Sequence, residues 1–237
     1  MLHLKEDEKQ RLTKALRAAF AIPFIDDIED YIWEAVLAYA KNIPLVDPFS
    51  STRAKDLFDF VDTSAGVGWS AKALQWQVAP EVEFELVIQR ADIFKKASEL
   101  GFGRLSSKSP PEDLGAALLT HWHQKVDGDA KKQGVSEKRI AILVKSLDRR
   151  TFAYYEDLIA LYSREELRWK WTDRTRTGLQ GIRKRDRFVV YRWYPNQKQF
   201  FERFTLPKDA YVFTLDPKRI QLPSLVELID RELGSIP

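Results

Sequence analysis

With 237 residues, 44% of them hydrophobic and 12% aromatic, the chain has material for one large domain or two small ones around packed cores. It contains no cysteine, which excludes disulfides, thiolate zinc sites and cysteine nucleophiles and fits a reducing cytoplasm. No apolar run approaches the ~20 residues of a membrane span, and MLHLKEDEKQRLTKALRAAF interleaves charges at helical spacing instead of forming an export signal, so a soluble cytoplasmic protein with no membrane partner is expected.

Residues 5–20 predict an amphipathic helix through Leu12, Leu16, Ala19 and Phe20. A second helix follows Pro23, with Asp26 or Asp27 as N-cap and Ile28, Tyr31, Ile32, Ala35, Val36 and Tyr39 recurring at threes and fours. The two prolines of NIPLVDPFSS end it. Residues 57–61 and 67–76 read as strands joined by the turn residues TSAG. EVEFELVIQ alternates Val82, Phe84 and Leu86 with Glu81, Glu83 and Glu85 as a third strand, and ADIFKKASELG is a short helix closed by Gly101. Pro111 opens a further helix, DGDAKKQGVSEK reads as a polar linker, and RIAILVK as a strand buried on both faces. LRWKWTD, GLQGIRKRDRFVVYRWYP and KQFFERFTL predict a small antiparallel sheet, and SLVELIDREL a last helix capped by Ser224. The order α, β, β, β, α, β over roughly residues 26–146 predicts an α/β fold: a mixed sheet flanked by helices, with three antiparallel strands and a parallel return strand. The expected division is a core over 1–146 and an aromatic, basic β-rich extension over 147–237, packed as one domain with it.

In DFVDTSAGVGWSAKALQW a lysine shares an apolar hairpin with an aspartate, and an unpaired buried charge costs several kcal/mol. A symmetric hairpin centred on Gly66 sets Asp62 opposite Ser70, with Lys72 a diagonal neighbour on the same face. Such a carboxylate holds a divalent cation while the lysine orients or deprotonates an attacking water, and the Ala71 carbonyl completes the metal's ligands. The plain alternative is a half-buried ion pair.

The element order, with Asp62 on one strand and Ser70-Ala71-Lys72 on the next, resembles the PD-(D/E)XK nuclease superfamily, which includes many type II restriction endonucleases. The resemblance covers roughly residues 26–146 and implies a Mg²⁺-dependent DNA endonuclease, with Asp62 as the first metal-binding acid and Lys72 as the lysine. Ser70 stands where the family has Asp or Glu, so the second acid must come from elsewhere: Glu85 or Glu83 on the third strand, or Glu34 on the flanking helix. The expected metal ligands are Asp62, Ala71 and Glu85. Read plainly, the glutamates of the third strand mark the wet face of an edge strand, and Glu34 a solvated helix face. His121 and His123 lie at i and i+2 of a helix, point apart and predict no zinc site.

Between Arg164 and Arg203 twelve Lys or Arg stand against five acids, a net +7 in a chain whose total is +3. Such asymmetry suggests a polyanionic partner, here double-stranded DNA. Trp169, Trp171, Tyr191, Trp193 and Tyr194 are expected in the core, which turns Arg168, Lys170 and Arg192 to the opposite face. Arg183, Lys184, Arg185 and Arg187 occupy a hairpin tip suited to phosphate contact, and Arg192 is placed to read a base. The first reading is a homodimeric restriction-type endonuclease that cuts both strands. The alternatives are a non-catalytic nucleic-acid-binding protein on the same fold and a scaffold whose aromatic sheet binds protein.

Overall fold

The computed structural model describes residues 2–44, 56–75, 83–216 and 218–234. The elements run α1 (Glu6–Ala21), α2 (Asp30–Ala40), β1 (Phe60–Asp62), β2 (Val67–Gln75), β3 (Glu83–Arg90), α3 (Ile93–Lys96), α4 (Pro111–Gln133), β4 (Glu137–Lys145), β5 (Thr151–Leu158), β6 (Leu167–Trp171), β7 (Leu179–Arg183), β8 (Val189–Tyr194), β9 (Gln199–Thr205), β10 (Tyr211–Thr214) and α5 (Leu222–Leu233). They form a mixed α/β fold with two five-stranded sheets in two compact units. One unit takes residues 1–80, 133–158 and 208–237, the other 81–132 and 159–207, so neither coincides with a division at residue 146.

The sheet of the first unit has the order β1-β2-β4-β5-β10. β2 pairs antiparallel with β1 and parallel with β4, from Val67↔Glu137 to Gln75↔Lys145, and β5 pairs antiparallel with β4 and β10. The expected parallel return strand is β4, but it lies against β2, because the expected third strand, β3, belongs to the other sheet. Six consecutive residues of β4, Ile140–Lys145, are buried, as a strand covered on both faces requires. The apolar stripes of α1 (Leu12, Leu16, Phe20) and α2 (Trp33, Val36, Leu37) pack with Trp69, Ala71, Ala141, Leu143, Phe152 and Tyr154 of this sheet in one core. Trp33 Nε1 donates to the Ala141 carbonyl at 3.2 Å, which fixes α2 over the centre of the sheet.

One carboxylate ties these elements together. Glu156 of β5, with no exposed surface, accepts from Trp69 Nε1 of β2 and Arg139 Nη1 of β4, each at 2.8 Å, from Lys41 Nζ at the end of α2 at 2.8 Å and from Tyr154 OH at 2.5 Å. A buried charge persists only when paired and fully hydrogen-bonded, and Glu156 meets both conditions.

The second sheet, β3-β9-β8-β7-β6, is antiparallel throughout. Its inner face carries Leu86, Trp169, Gly181, Tyr191, Trp193, Phe200 and Phe204, all buried, so the expected aromatic sheet exists and is completed by β3. Of the aromatics expected in this core, Tyr194 and Trp171 are only half-buried, and Tyr194 belongs to the outer face. α4 is held against the inner face: Trp169 N donates to Glu112 Oε1 at 3.0 Å, and a Cβ built on Gly115 would lie 2.3 Å from the Trp169 ring. The polar linker expected over 127–138 is helical as far as Gln133, because Val126 and Ala130 continue the buried stripe of Trp122. α5 begins at Leu222, not at Ser224, with Pro223 in its first turn. Glu81, Val82, Trp76 and most of NIPLVDPFSS lie outside the described residues.

Candidate active site

β1 is short, and that shortness makes the site. Its pairing with β2 runs from Asp62↔Val67 to Phe60↔Trp69, and Asp59 N donates to the Trp69 carbonyl at 2.8 Å. Past this point no described strand pairs with this edge of β2, and carboxylates accept from its backbone. Ala71 N donates to Asp59 Oδ2 at 2.7 Å, and Ala73 N donates to Asp30 Oδ1 at 2.9 Å from the first turn of α2. Lys72 Nζ donates to the Ala71 carbonyl at 3.0 Å and lies 3.5 Å from Asp59 Oδ2.

The carboxylate beside Lys72 is therefore Asp59 and not Asp62. The register pairs Asp62 with Val67, not with Ser70, because the reversal occupies residues 63–66 and is not centred on Gly66. Asp62 accepts from Ser64 Oγ at 2.6 Å, Ser64 N at 2.9 Å and Ala65 N at 3.1 Å, bonds that build the turn and hold its carboxyl below the usual range. Ser70 is buried at 3% exposure on the Lys72 face of β2.

Burial pushes the Asp59 carboxyl above its ordinary value; the Lys72 charge and the Ala71 N–H oppose this, and the Asp30 charge adds to it. Asp30 and Asp59 thus feel one another's charge, and Lys72 pairs with Asp59. Glu34, one helical turn after Asp30, shares its side of α2 and is half-buried. Glu83 and Glu85 do not lie on the strand next to β2. They are on β3 of the other sheet, where Arg203 of β9 binds Glu83 and Arg192 Nη1 of β8 donates to Glu85 Oε2 at 3.1 Å.

Among the described residues no group of three or more His, Asp or Glu is arranged to hold a metal ion. The local donors are Asp59, Asp30 and the Ala71 carbonyl, all hard oxygens. They fit Mg²⁺, which takes one or two carboxylates and fills its octahedron with water and substrate phosphate. They do not form an all-protein cage. His121 belongs to α4 in the other unit: its Nε2 lies 3.0 Å from Lys96 Nζ, and burial together with that charge pulls its pKa down to about 4.

The predicted DNA-contacting residues divide into two groups. Arg183 is engaged by Asp186, at 3.0 Å from Nε and 2.6 Å from Nη2, and by Tyr162 OH at 3.0 Å, so it braces its own turn. Arg192 is held by Glu85 and by Tyr194 OH at 3.2 Å. Arg168, Lys170, Lys184 and Arg187 are exposed, and their side chains make no hydrogen bond or ion pair among the described residues. Arg185 is exposed and has only a 3.9 Å approach to Asp186.

Sequence reasoning missed Asp59 and Asp30. Asp59 lies in the quoted hairpin, three residues before Asp62, and a turn of four residues instead of a single-residue apex would have selected it. Asp30 carried no local signal beyond its place at a helix start. Comparison of the chain with family models, with curated proteins and with solved structures finds no match.

Proposed function

We propose that the chain is a metal-dependent DNA endonuclease built on a PD-(D/E)XK-like core, with Asp59 and Lys72 at its centre and Asp30 as the second acid that Ser70 does not provide. The observation that carries this reading is the pairing of a half-buried Asp59 with Lys72 on β2, with Asp30 placing a second carboxylate on the N–H of Ala73. Asp59, Asp30 and the Ala71 carbonyl would hold Mg²⁺, which would supply Lewis-acid stabilisation and a water of lowered pKa. Lys72, which donates to the Ala71 carbonyl, would have to release that oxygen to the metal. Its ammonium then donates to the attacking water or to the phosphoryl oxygens, which gain charge in the transition state. Cutting both strands of a duplex takes two such sites, so a homodimer is the working assembly.

The test is conversion of supercoiled plasmid in Mg²⁺ against EDTA. Wild type should nick or linearise DNA only with the metal, and Asp59→Asn and Lys72→Ala should each lose orders of magnitude in rate while keeping affinity. Cleavage by either variant at the wild-type rate removes this site from consideration. A second reading has its own support: Asp59 and Asp30 satisfy backbone N–H groups at a strand edge, a structural task that survives loss of catalysis. Salt-sensitive binding without cleavage would favour that non-catalytic nucleic-acid-binding protein.

A further inference from the structure

The outer face of the second sheet is unlike the wet face of an ordinary antiparallel sheet. Alternation along the strands sends Arg168 and Lys170 of β6, Gln180 of β7, Arg192 and Tyr194 of β8, and Phe201 and Arg203 of β9 to this side. Register sets Lys170, Gln180, Arg192 and Phe201 in one row across four strands, which spans roughly 14 Å at ~4.8 Å per strand. Tyr194 and Phe201 meet edge to face with ring centroids 5.4 Å apart, and neither ring is buried.

Charge along this face is graded. At the β3 side Arg203 and Arg192 are matched by Glu83 and Glu85, while at the β6 side Arg168 and Lys170 are exposed and unmatched among the described residues. The Gln180 amide also has no partner among the described residues. Arg192 meets Glu85 through Nη1 and Oε2 alone, and Arg192 Nε and Glu85 Oε1 are buried without hydrogen-bond partners among the described residues, so the pair has hydrogen-bonding capacity left unmet.

We propose that this face binds single-stranded nucleic acid, with bases stacking on Tyr194 and Phe201, Gln180 and Arg192 reaching base edges, and Lys170 and Arg168 holding phosphates. Every base has a π-face, so aromatic side chains beside unpaired cations suit an unstacked strand, whereas a duplex hides those faces. The inference rests on the nuclease reading only for its purpose, which is to hold a displaced or frayed strand during cutting.

Its test is independent of cleavage: the Asp59→Asn protein in EDTA, with fluorescence anisotropy of a labelled 12-mer of deoxythymidine and of a 12-base-pair duplex. Wild-type side chains should bind the single strand more tightly than the duplex. Tyr194→Ala and Phe201→Ala should each weaken it by about 5- to 150-fold, and Lys170→Ala should lower the slope of log affinity against log salt by about 0.7. Phe201→Leu, which keeps the apolar contact and removes the π-face, should weaken binding with no change in thermal midpoint. Duplex preferred over single strand, or full affinity in Phe201→Leu and Tyr194→Ala together, overturns the proposal. A protein that fails to cut plasmid and still shows these losses would retain this face and lose only the nuclease reading.

Discussion

Changing Glu156 to Gln keeps the shape of the side chain and removes its charge. In the native protein that charge meets Lys41, whose side chain is 6% exposed, and Arg139, at 2.8 Å each. The substitution leaves both cations without their shared counter-ion: Lys41 keeps only a 3.4 Å approach to Glu8, while Arg139 keeps Glu137. Removing one member of a buried pair typically costs about 3–5 kcal/mol, because the remaining charge is desolvated and uncompensated. At a urea m-value of about 2 kcal/mol/M the unfolding midpoint should fall by about 1.5–2.5 M, read by intrinsic tryptophan fluorescence. Burial pushes the Glu156 carboxyl up, but Lys41, Tyr154 and Arg139 outweigh it and hold it below its ordinary value. The stability that it supplies is therefore complete above the ordinary carboxylate range and lost as pH falls through the lowered value, a loss the Gln variant should no longer show. Adding Lys41→Met to Glu156→Gln should recover part of the midpoint. A loss under about 1 kcal/mol, the scale of an exposed pair, would refute the account of Glu156 as the tie between α2, β2 and β4.

Asp62→Ala should cut DNA like wild type and lose about 1 kcal/mol of stability, since it only closes the β1–β2 turn; loss of cleavage with intact folding would restore Asp62 to the site. Asp30→Asn should lower cleavage and Glu34→Gln should lower it less, in plasmid assays at saturating Mg²⁺; equal activity of both variants with wild type would remove α2 from the chemistry. Gly115→Ala should destabilise by about 1–3 kcal/mol in thermal melts, because its methyl group meets the Trp169 ring. His121 stays neutral with a pKa near 4 against an ordinary 6.5, so the stability it contributes is complete above 6.5 and lost as pH falls through that window. His121→Gln should flatten this part of the pH–stability curve, measured by urea unfolding at stepped pH.

Elements with one strong period were legible in the sequence. α1, α2, β2, β4 and the β6–β9 sheet announce themselves by 3.6-residue stripes, an apolar run or aromatic alternation, and residues such as Leu12, Ala141 and Trp193 fall in cores as read. β5 was missed because Glu156 and Asp157 look like solvent-facing residues, although Glu156 is fully buried by virtue of its partners, and partners are invisible to a hydropathy pattern. β10 is only four residues long. The placement of β3 with β9 was hidden for a different reason. Its alternating glutamates fit either a wet edge or a cross-strand ladder, and only the arginines of β8 and β9, over a hundred positions later, decide between them. At the candidate site, burial cost singled out Lys72, while which of two aspartates three residues apart lies beside it turned on the length of one turn, which sets the pairing register.

The interleaving of the two units means that the chain passes between them four times, at residues 80–81, 132–133, 158–159 and 207–208. Neither unit is a contiguous stretch, so neither can be excised, swapped or expressed by choosing two end points. The parallel β2–β4 pair closes around the whole first segment of the other unit, and β10 must come back from beyond the second segment to reach β5. Such long-range closures are entropically late events, so refolding should be slow for a protein of this size, with β4 and β5 unpaired on their outer sides while the intervening segments fold. A ribosome releasing the chain at residue 146 would present β4 without β5, an apolar edge strand of the kind that seeds association. Production yield should accordingly respond to translation speed and to holdase chaperones more than to the stability of the finished protein.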